Sequence, residues 1–173
     1  DVLLVHAAAG GVGSSAVQLG KAAGATVIGV VSNAGKAEVA RALGADHAIN
    51  YRTADFAVKV QEITGKRGAN VILDMVGGDY VARNLKCLAE DGRLAIIAVQ
   101  GGLKSNLDVG AVLRRRLTIS GSTLRPRSVA YKTQIARALR ERVWPLIESG
   151  RVRPVIHTVF AAAQAAQAGG QAF

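Results

Sequence analysis

The most constraining feature of this chain is a glycine-rich turn set between two regular elements. A short apolar run, Val2 to His6, leads into Ala7-Ala-Ala-Gly-Gly-Val-Gly13, and the residues from Ser14 to Ala23 follow. The β-branched content of the first run suits a buried strand. Ala16, Val17, Leu19 and Ala23 then fall near helical spacing. In a strand–turn–helix of this kind, Gly10 lets the backbone approach phosphate groups closely. Gly13 lets the helix pack tightly on the strand, and the free N–H groups at the helix start attract negative charge. In the G-x-G-x-x-G pattern the first position is Ala8, so the turn departs from the usual fingerprint. Its setting matters more than its glycines. It opens a series of βαβ units, which makes a dinucleotide pyrophosphate, rather than a plain tight turn, its expected occupant.

The alternation continues along the chain. Strands are expected at Ala25 to Val31, His47 to Asn50, Ala69 to Met75 and Gly92 to Val99, with a sixth at Leu117 to Gly121. Helices are expected between them at Lys36 to Leu43, Ala54 to Thr64 and Asp79 to Leu88. Strands separated by helices predict right-handed βαβ crossovers and a parallel sheet. The fold class is therefore α/β, a doubly wound parallel six-stranded sheet of the Rossmann type. Beyond it, Val129 to Ser149 reads as a helix that Pro145 kinks or ends near Trp144. Pro154 to Phe160 reads as a strand leaving the domain, and Ala161 to Ala168 as a last helix.

The chain has 173 residues, half of them apolar and only 4% aromatic. That is enough for one domain with a full core, built mainly from Ala, Val, Ile and Leu packed closely on the sheet. No apolar run approaches the ~20 residues of a membrane helix. No basic segment precedes the first apolar run as in a signal peptide. Cys87, the single cysteine, can form no internal disulfide and reads as a small buried residue on a helix. A reducing cytoplasm is the expected setting.

The net charge of +10 is unevenly placed, at +1 over residues 1–90 and +9 over residues 91–173. A solvated basic face, a nucleic-acid surface and counter-charge for a polyanionic cofactor are all compatible with it. A nucleic-acid role is the weakest of the three, because only Tyr131 and Trp144 accompany the basic residues as stacking partners.

The end of the second strand bears on the choice of cofactor. NAD-binding domains place Asp or Glu there to hold the ribose 2′-hydroxyl. Here Val30, Val31, Ser32, Asn33, Ala34 and Gly35 include no acid, and Lys36 follows. A carboxylate would repel a 2′-phosphate, whereas a hydroxyl and an ammonium attract it, which favours NADP(H). Lys36 is otherwise a surface lysine opposing the helix dipole.

The stretches His6 to Gly13, Ala45-Asp-His-Ala-Ile-Asn-Tyr51, Asp74-Met-Val-Gly-Gly78 and Gly121-Ser-Thr-Leu-Arg-Pro-Arg-Ser128 together resemble medium-chain dehydrogenase/reductases. More closely, they resemble zinc-independent quinone oxidoreductases of the zeta-crystallin type. The A-x-x-G-x-x-G form of the turn (Ala7, Gly10, Gly13) is typical of that family. The resemblance implies that Lys36 and Tyr51 hold the adenosine 2′-phosphate, with Ser32 beside the ribose. It implies pyrophosphate contacts from Gly11 and Val12. Val76, Ile97, Val99 and Leu124 would wall the nicotinamide, with Arg125 next to them. Read without the resemblance, Tyr51 is equally an ordinary strand-end aromatic.

The resemblance further implies that residues 1–155 are the NADP-binding domain. Residues 156–173 would begin a return to a separate, GroES-like catalytic domain. The activity implied is hydride transfer from NADPH to a quinone or enone, in a homodimer joined through residues 117–121. An enoyl reductase domain of a larger synthase is the alternative within the same chemistry, and a non-catalytic NADPH-binding scaffold is another. No residue stands out as catalytic. Asp74 reads as a strand-end side chain that satisfies loop N–H groups. With one cysteine and His6, His47 and His157 scattered, no metal site is expected, and the histidines read as structural or surface residues.

Overall fold

A computed structural model describes residues 1–156 and 158–170. Its six strands are β1 (Val2–Val5), β2 (Thr26–Val31), β3 (His47–Asn50), β4 (Ala69–Asp74), β5 (Leu88–Ile96) and β6 (Thr118–Gly121). The helices between them are α1 (Gly11–Ala22), α2 (Ala34–Ala42), α3 (Phe56–Ile63), α4 (Tyr80–Cys87) and α5 (Val109–Arg114). After β6 come α6 (Val129–Arg142), α7 (Trp144–Glu148), a 3-10 turn (Ala162–Gln164) and α8 (Ala165–Gly170).

Every strand pairing is parallel, and the sheet order is β3-β2-β1-β4-β5-β6. The chain moves from β1 outward to β2 and β3, then returns to the other side of β1 for β4. The carboxyl ends of β1 and β4 therefore flank a topological switch point, where ligands of open α/β sheets bind. The doubly wound sheet expected from the sequence is the one observed.

Side-chain alternation divides the core between the two faces. Ile28 and Val30 of β2 point to one face, where α3 and α4 contribute Phe56, Val60, Val81 and Leu85. Val27 and Val31 point to the other, against Val17 of α1 and Ala37 and Ala40 of α2. The second core is rich in alanine, and this draws α1 and α2 close. A Cβ on Gly29 would stand 2.8 Å from that of Ala8, and one on Gly20 2.6 Å from Leu3 Cδ2.

Two expectations need correction, and one about a proline holds. β5 starts at Leu88 and ends at Ile96, so Ile97 and Val99 lie in a loop rather than a strand. Their backbone turns aside to the β4–α4 connection: Ile97 N–H donates to Asp74 O and Gly101 N–H to Val76 O. The long helix after β6 is interrupted near Trp144, as Pro145 led one to expect: it is two helices, broken at Val143, with Pro145 inside the first turn of α7. Proline has no N–H to give to an unbroken helix but is accepted in a first turn. Pro154 to Phe160 contains no strand among its described residues. Gln18 instead pins the chain just before it, accepting from Arg153 N–H and donating to Arg153 O. Val152 is buried there, whereas Ile156 and Val159 are 70% and 84% exposed. A strand needs an edge to pair with, and the described residues of this segment pair with none. His157 and residues 171–173 lie outside the described residues, so the reading of His157 and the last part of the 156–173 segment go with them.

Candidate functional site: the carboxyl edge of the sheet

The turn after β1 begins with an alanine in an unusual conformation. Ala7 has φ +48°, in the left-handed region, and its carbonyl accepts from Gly10 N–H at 2.8 Å. The chain then enters α1 with Gly10 as its N-cap, and Ser14 N–H closes the first turn onto Gly10 O at 2.7 Å. Gly13 is held by sterics. A Cβ there would come within 2.8 Å of Ala7 C and Ala8 Cα. At Gly11 a Cβ would meet nothing within 4 Å, and Val12 beside it is 58% exposed. The turn is tight against the strand and open on its outer side, with no acidic residue in the first turn of α1. It fits a bound phosphate group, which favours such helix starts.

Ser32, Lys36 and Tyr51 lie just past the carboxyl ends of β2 and β3, one strand further out. Tyr51 N–H donates to Val31 O at 3.0 Å, which fastens the end of β3 beside Ser32. Asn33 caps α2 by accepting from Lys36 N–H at 2.8 Å, so the lysine sits in the first turn with its side chain in solvent. Tyr51 is 40% exposed, and its ring meets Tyr80 edge-on at 6.4 Å. No carboxylate follows β2 before Glu38.

On the other side of β1, the Asp74-Met-Val-Gly-Gly78 stretch forms a tight turn. Asp74 Oδ1 accepts from Val76 N–H at 2.6 Å and Gly77 N–H at 3.1 Å, as its sequence position suggested. Gly77 and Gly78 have φ +66° and +52°, which side chains adopt only under strain. The loop carrying Ile97 and Val99 closes onto this turn, with Gly77 bridged to Gly102. Val76 and Val99 thus share one wall. Leu124 and Arg125 lie just beyond β6 in a turn closed by Arg127 N–H on Leu124 O, both exposed. They stand at the same end of the sheet as that wall but in a separate turn.

Two buried side chains are joined in a way that the sequence reading did not foresee. His6 is fully buried at the end of β1, and its Nε2 lies 2.7 Å from Asn84 Oδ1 on α4. Asn84 Nδ2 donates to Asp74 Oδ2 at 3.0 Å. His6 was legible only as a structural histidine. Asn84, 78 residues further along, carries no pattern that connects the two.

Read along the sheet order, these groups form a row. Ser32, Lys36 and Tyr51 lie at β2 and β3, the glycine turn at β1, Val76 with Ile97 and Val99 at β4 and β5, and Leu124 with Arg125 past β6. At the usual strand spacing the row is roughly 24 Å long.

Cys87 is buried and donates to Asn84 O at 3.4 Å, and burial pushes its thiol up to about 12. Among the described residues, no three His, Cys, Asp or Glu side chains are placed to hold a metal ion. Nor is any helix among them long and apolar enough to cross a membrane.

Comparison with known proteins matches residues 11–140 to the family described as zinc-binding dehydrogenase. The chain is 36% identical to a quinone oxidoreductase of Pseudomonas aeruginosa over 169 residues, covering 97% of this chain and 51% of that protein. It is 46% identical to a 2-haloacrylate reductase of a Burkholderia species over 109 residues, covering 63% of this chain and 33% of that protein. The structure of Escherichia coli quinone oxidoreductase complexed with NADPH superposes with a TM-score of 0.78 at 34% identity, covering 95% of this chain and 48% of that one. The chain therefore spans about half the length, or less, of the relatives it matches. The family's description names zinc, but the residues described here do not fit that ion: the one thiol is sealed in the core, and no ligand cluster surrounds it. By sequence and by fold the chain belongs to the zinc-binding dehydrogenase family of medium-chain dehydrogenase/reductases, beside its zinc-independent quinone oxidoreductases.

Proposed function

We propose that this chain is the NADPH-binding part of an oxidoreductase that reduces a quinone or another electron-poor conjugated carbonyl without zinc. One observation carries the reading: the order of the groups along the sheet edge matches the order of parts in an NADP molecule. A hydroxyl, an ammonium and a tyrosine stand at the 2′-phosphate end, with no acid among them. A helix start stands where the pyrophosphate belongs, and apolar Val76, Ile97 and Val99 stand at the ring end. When bound, NADPH supplies the hydride. The chain's part is to orient the ring against that wall, to hold the anionic groups, and to screen one side of the reacting centre from water.

The 2-haloacrylate reductase relative favours a conjugated alkene as a second substrate class at the same site. A separate catalytic domain that contributes the facing wall belongs to the same proposal, with residues 1–155 as the cofactor domain. The segment after Arg153 leaves the core with Ile156 and Val159 exposed, which supports assigning residues 156–173 to the start of that connection. A cytoplasmic setting belongs to this reading too.

Titration by nicotinamide fluorescence tests the cofactor. NADPH should bind roughly tenfold or more tightly than NADH, a margin of about 1.4 kcal/mol. Lys36→Glu should weaken NADPH far more than NADH, because it sets a like charge against the 2′-phosphate. Equal affinities in the unmodified chain would remove the assignment of Ser32, Lys36 and Tyr51.

A further inference from the structure

Among the described residues, six polar side chains are buried: His6, Ser14, Gln18, Thr64, Asp74 and Asn84. Gln18 pins Arg153, and Thr64 bonds within the turn after α3. Ser14 bonds back to Gly11 O inside the first turn of α1. The other three connect into one line that runs through the core at the switch point.

The chemistry of that line fixes its protons. Asp74 Oδ2 only accepts from its neutral neighbour, so the group of Asn84 facing it is the Nδ2 amide. Asn84 Oδ1 is then left to face His6, and an amide oxygen only accepts. His6 Nε2 therefore carries the ring proton, and Nδ1 keeps a bare lone pair. Nδ1 is buried and has no hydrogen-bond partner among the described residues. Phe56 and Tyr80 clamp the ring edge-on, at 4.8 Å and 5.1 Å between centroids. Burial, the largest influence, pushes the His6 pKa down, so the ring stays neutral.

The other end of the line is the backbone turn that carries Val76. Asp74 Oδ1 accepts from Val76 and Gly77 N–H, and Val76 O accepts from Gly101 N–H. Without Asn84, Oδ2 would be a buried acceptor with nothing to accept, free to turn and release the two amides. Without the proton on His6, Asn84 would lose what orients it.

We propose that His6 and Asn84 are positioning residues that hold the Asp74 carboxylate so that it fixes the Val76–Gly77 turn as the wall against which the nicotinamide lies. The identity of the ring rests on the proposed function; the locking of the turn does not. The test uses His6→Met, which removes the donor, and His6→Gln, whose Nε2 restores one at similar reach. In the cofactor-free chain, amide exchange at Val76 and Gly77 should be roughly tenfold faster in His6→Met, near the unmodified rate in His6→Gln, and unchanged in β2 and α2 for both.

NADPH should bind about fivefold more weakly to His6→Met. The 2′-phosphorylated ADP-ribose, which lacks the nicotinamide, should keep its affinity, and His6→Gln should recover most of the NADPH loss. Unaltered exchange at Val76 and Gly77, or equal weakening of both ligands, overturns the proposal. If neither ligand binds the unmodified chain, the cofactor reading fails while the exchange rates still decide the turn. Should His6→Met not fold, ring-nitrogen shifts of the unmodified chain decide. A neutral ring protonated at Nε2 supports the line of bonds, and an Nδ1–H tautomer or an imidazolium at neutral pH overturns it.

Discussion

The glycine turn shows how much one side chain decides. Ala7 occupies left-handed backbone, which an L-residue enters at a cost of order 1 kcal/mol, and its exposed methyl buries nothing in return. What holds it there is the hydrogen bond to Gly10 N–H and the close seating of Gly13 on Ala7 and Ala8. Gly13→Ala should therefore cost about 1–3 kcal/mol as an overpacked contact. Because the contact is with backbone, relief must come from moving the turn, and NADPH affinity should fall along with the urea midpoint. A variant with lowered stability but unaltered NADPH affinity would detach the turn from binding. His6 adds a pH signature. Its folded pKa lies below its ordinary value because of burial, so the unfolded chain takes up a proton first as pH falls. The stability tied to its neutrality is fully present above an unfolded pKa of about 6.5 and is lost as pH drops below it. Urea midpoints should fall between pH 6.5 and 5 in the unmodified chain (about 1.4 kcal/mol per pH unit at most) and be flatter in His6→Gln. Of the charged groups near the ring, Asp74 opposes the shift and Arg83 adds to it.

At the scale of elements, β6 carries a prediction. It is the last strand of the sheet, so its outer edge of N–H and C=O groups is unpaired in the single chain. Pairing with a two-fold copy through Thr118 and Ile119 would continue the sheet and remove that edge. Light scattering at micromolar concentration should report a dimer, and a monomer throughout counts against this use of β6. The elements of the first half were legible because each alternates cleanly with the next, and local pattern and tertiary role agree. Gly44 after Leu43 marks one border, whereas α3 starts two residues later than expected, behind its Asp55 cap. The misread elements are those whose fate depends on distant partners. Gly92 to Val99 looks like one apolar run, but the Asp74, Met75 and Val76 carbonyls draw its second half away. Helix α5 was not foreseen, although Asp108 caps it by accepting from Ala111 N–H. Pro154 to Phe160 has a strand's composition, but its described residues pair with no strand. The proposed cofactor edge rests on signals that are local in the sequence, the glycines and the missing acid. The His6–Asn84–Asp74 line was not, because it joins three residues that only the fold brings together.

At the scale of the whole molecule, the charge asymmetry resolves into different uses. Arg115 donates to Leu85 and Leu88 carbonyls beside the end of α4, and Arg116 pairs with Asp91 and Glu90. Both ion pairs are exposed, so they contribute little to stability. Arg127 covers the face of Tyr131 at 4.9 Å, which occupies a ring that base stacking would need. In the proposed reading, the wall at the ring end is half a cleft. Val99 is 42% exposed and Leu124 51%, and α6 and α7 bury none of their residues. Hydride transfer requires the acceptor to be held ~3–3.5 Å from the reduced ring, oriented and shielded from water. Among the described residues the ring would rest on Val76 and Val99 with its outer side in solvent. His6 is sealed in the core, and its one proton is committed to Asn84. The 173-residue chain should therefore bind NADPH and leave the rate of benzoquinone reduction near that of a protein-free blank. Loss of NADPH absorbance at 340 nm, followed against both quinone and protein concentration, measures this. A rate that saturates with quinone well above the blank would mean that this edge of the sheet forms a complete active site by itself.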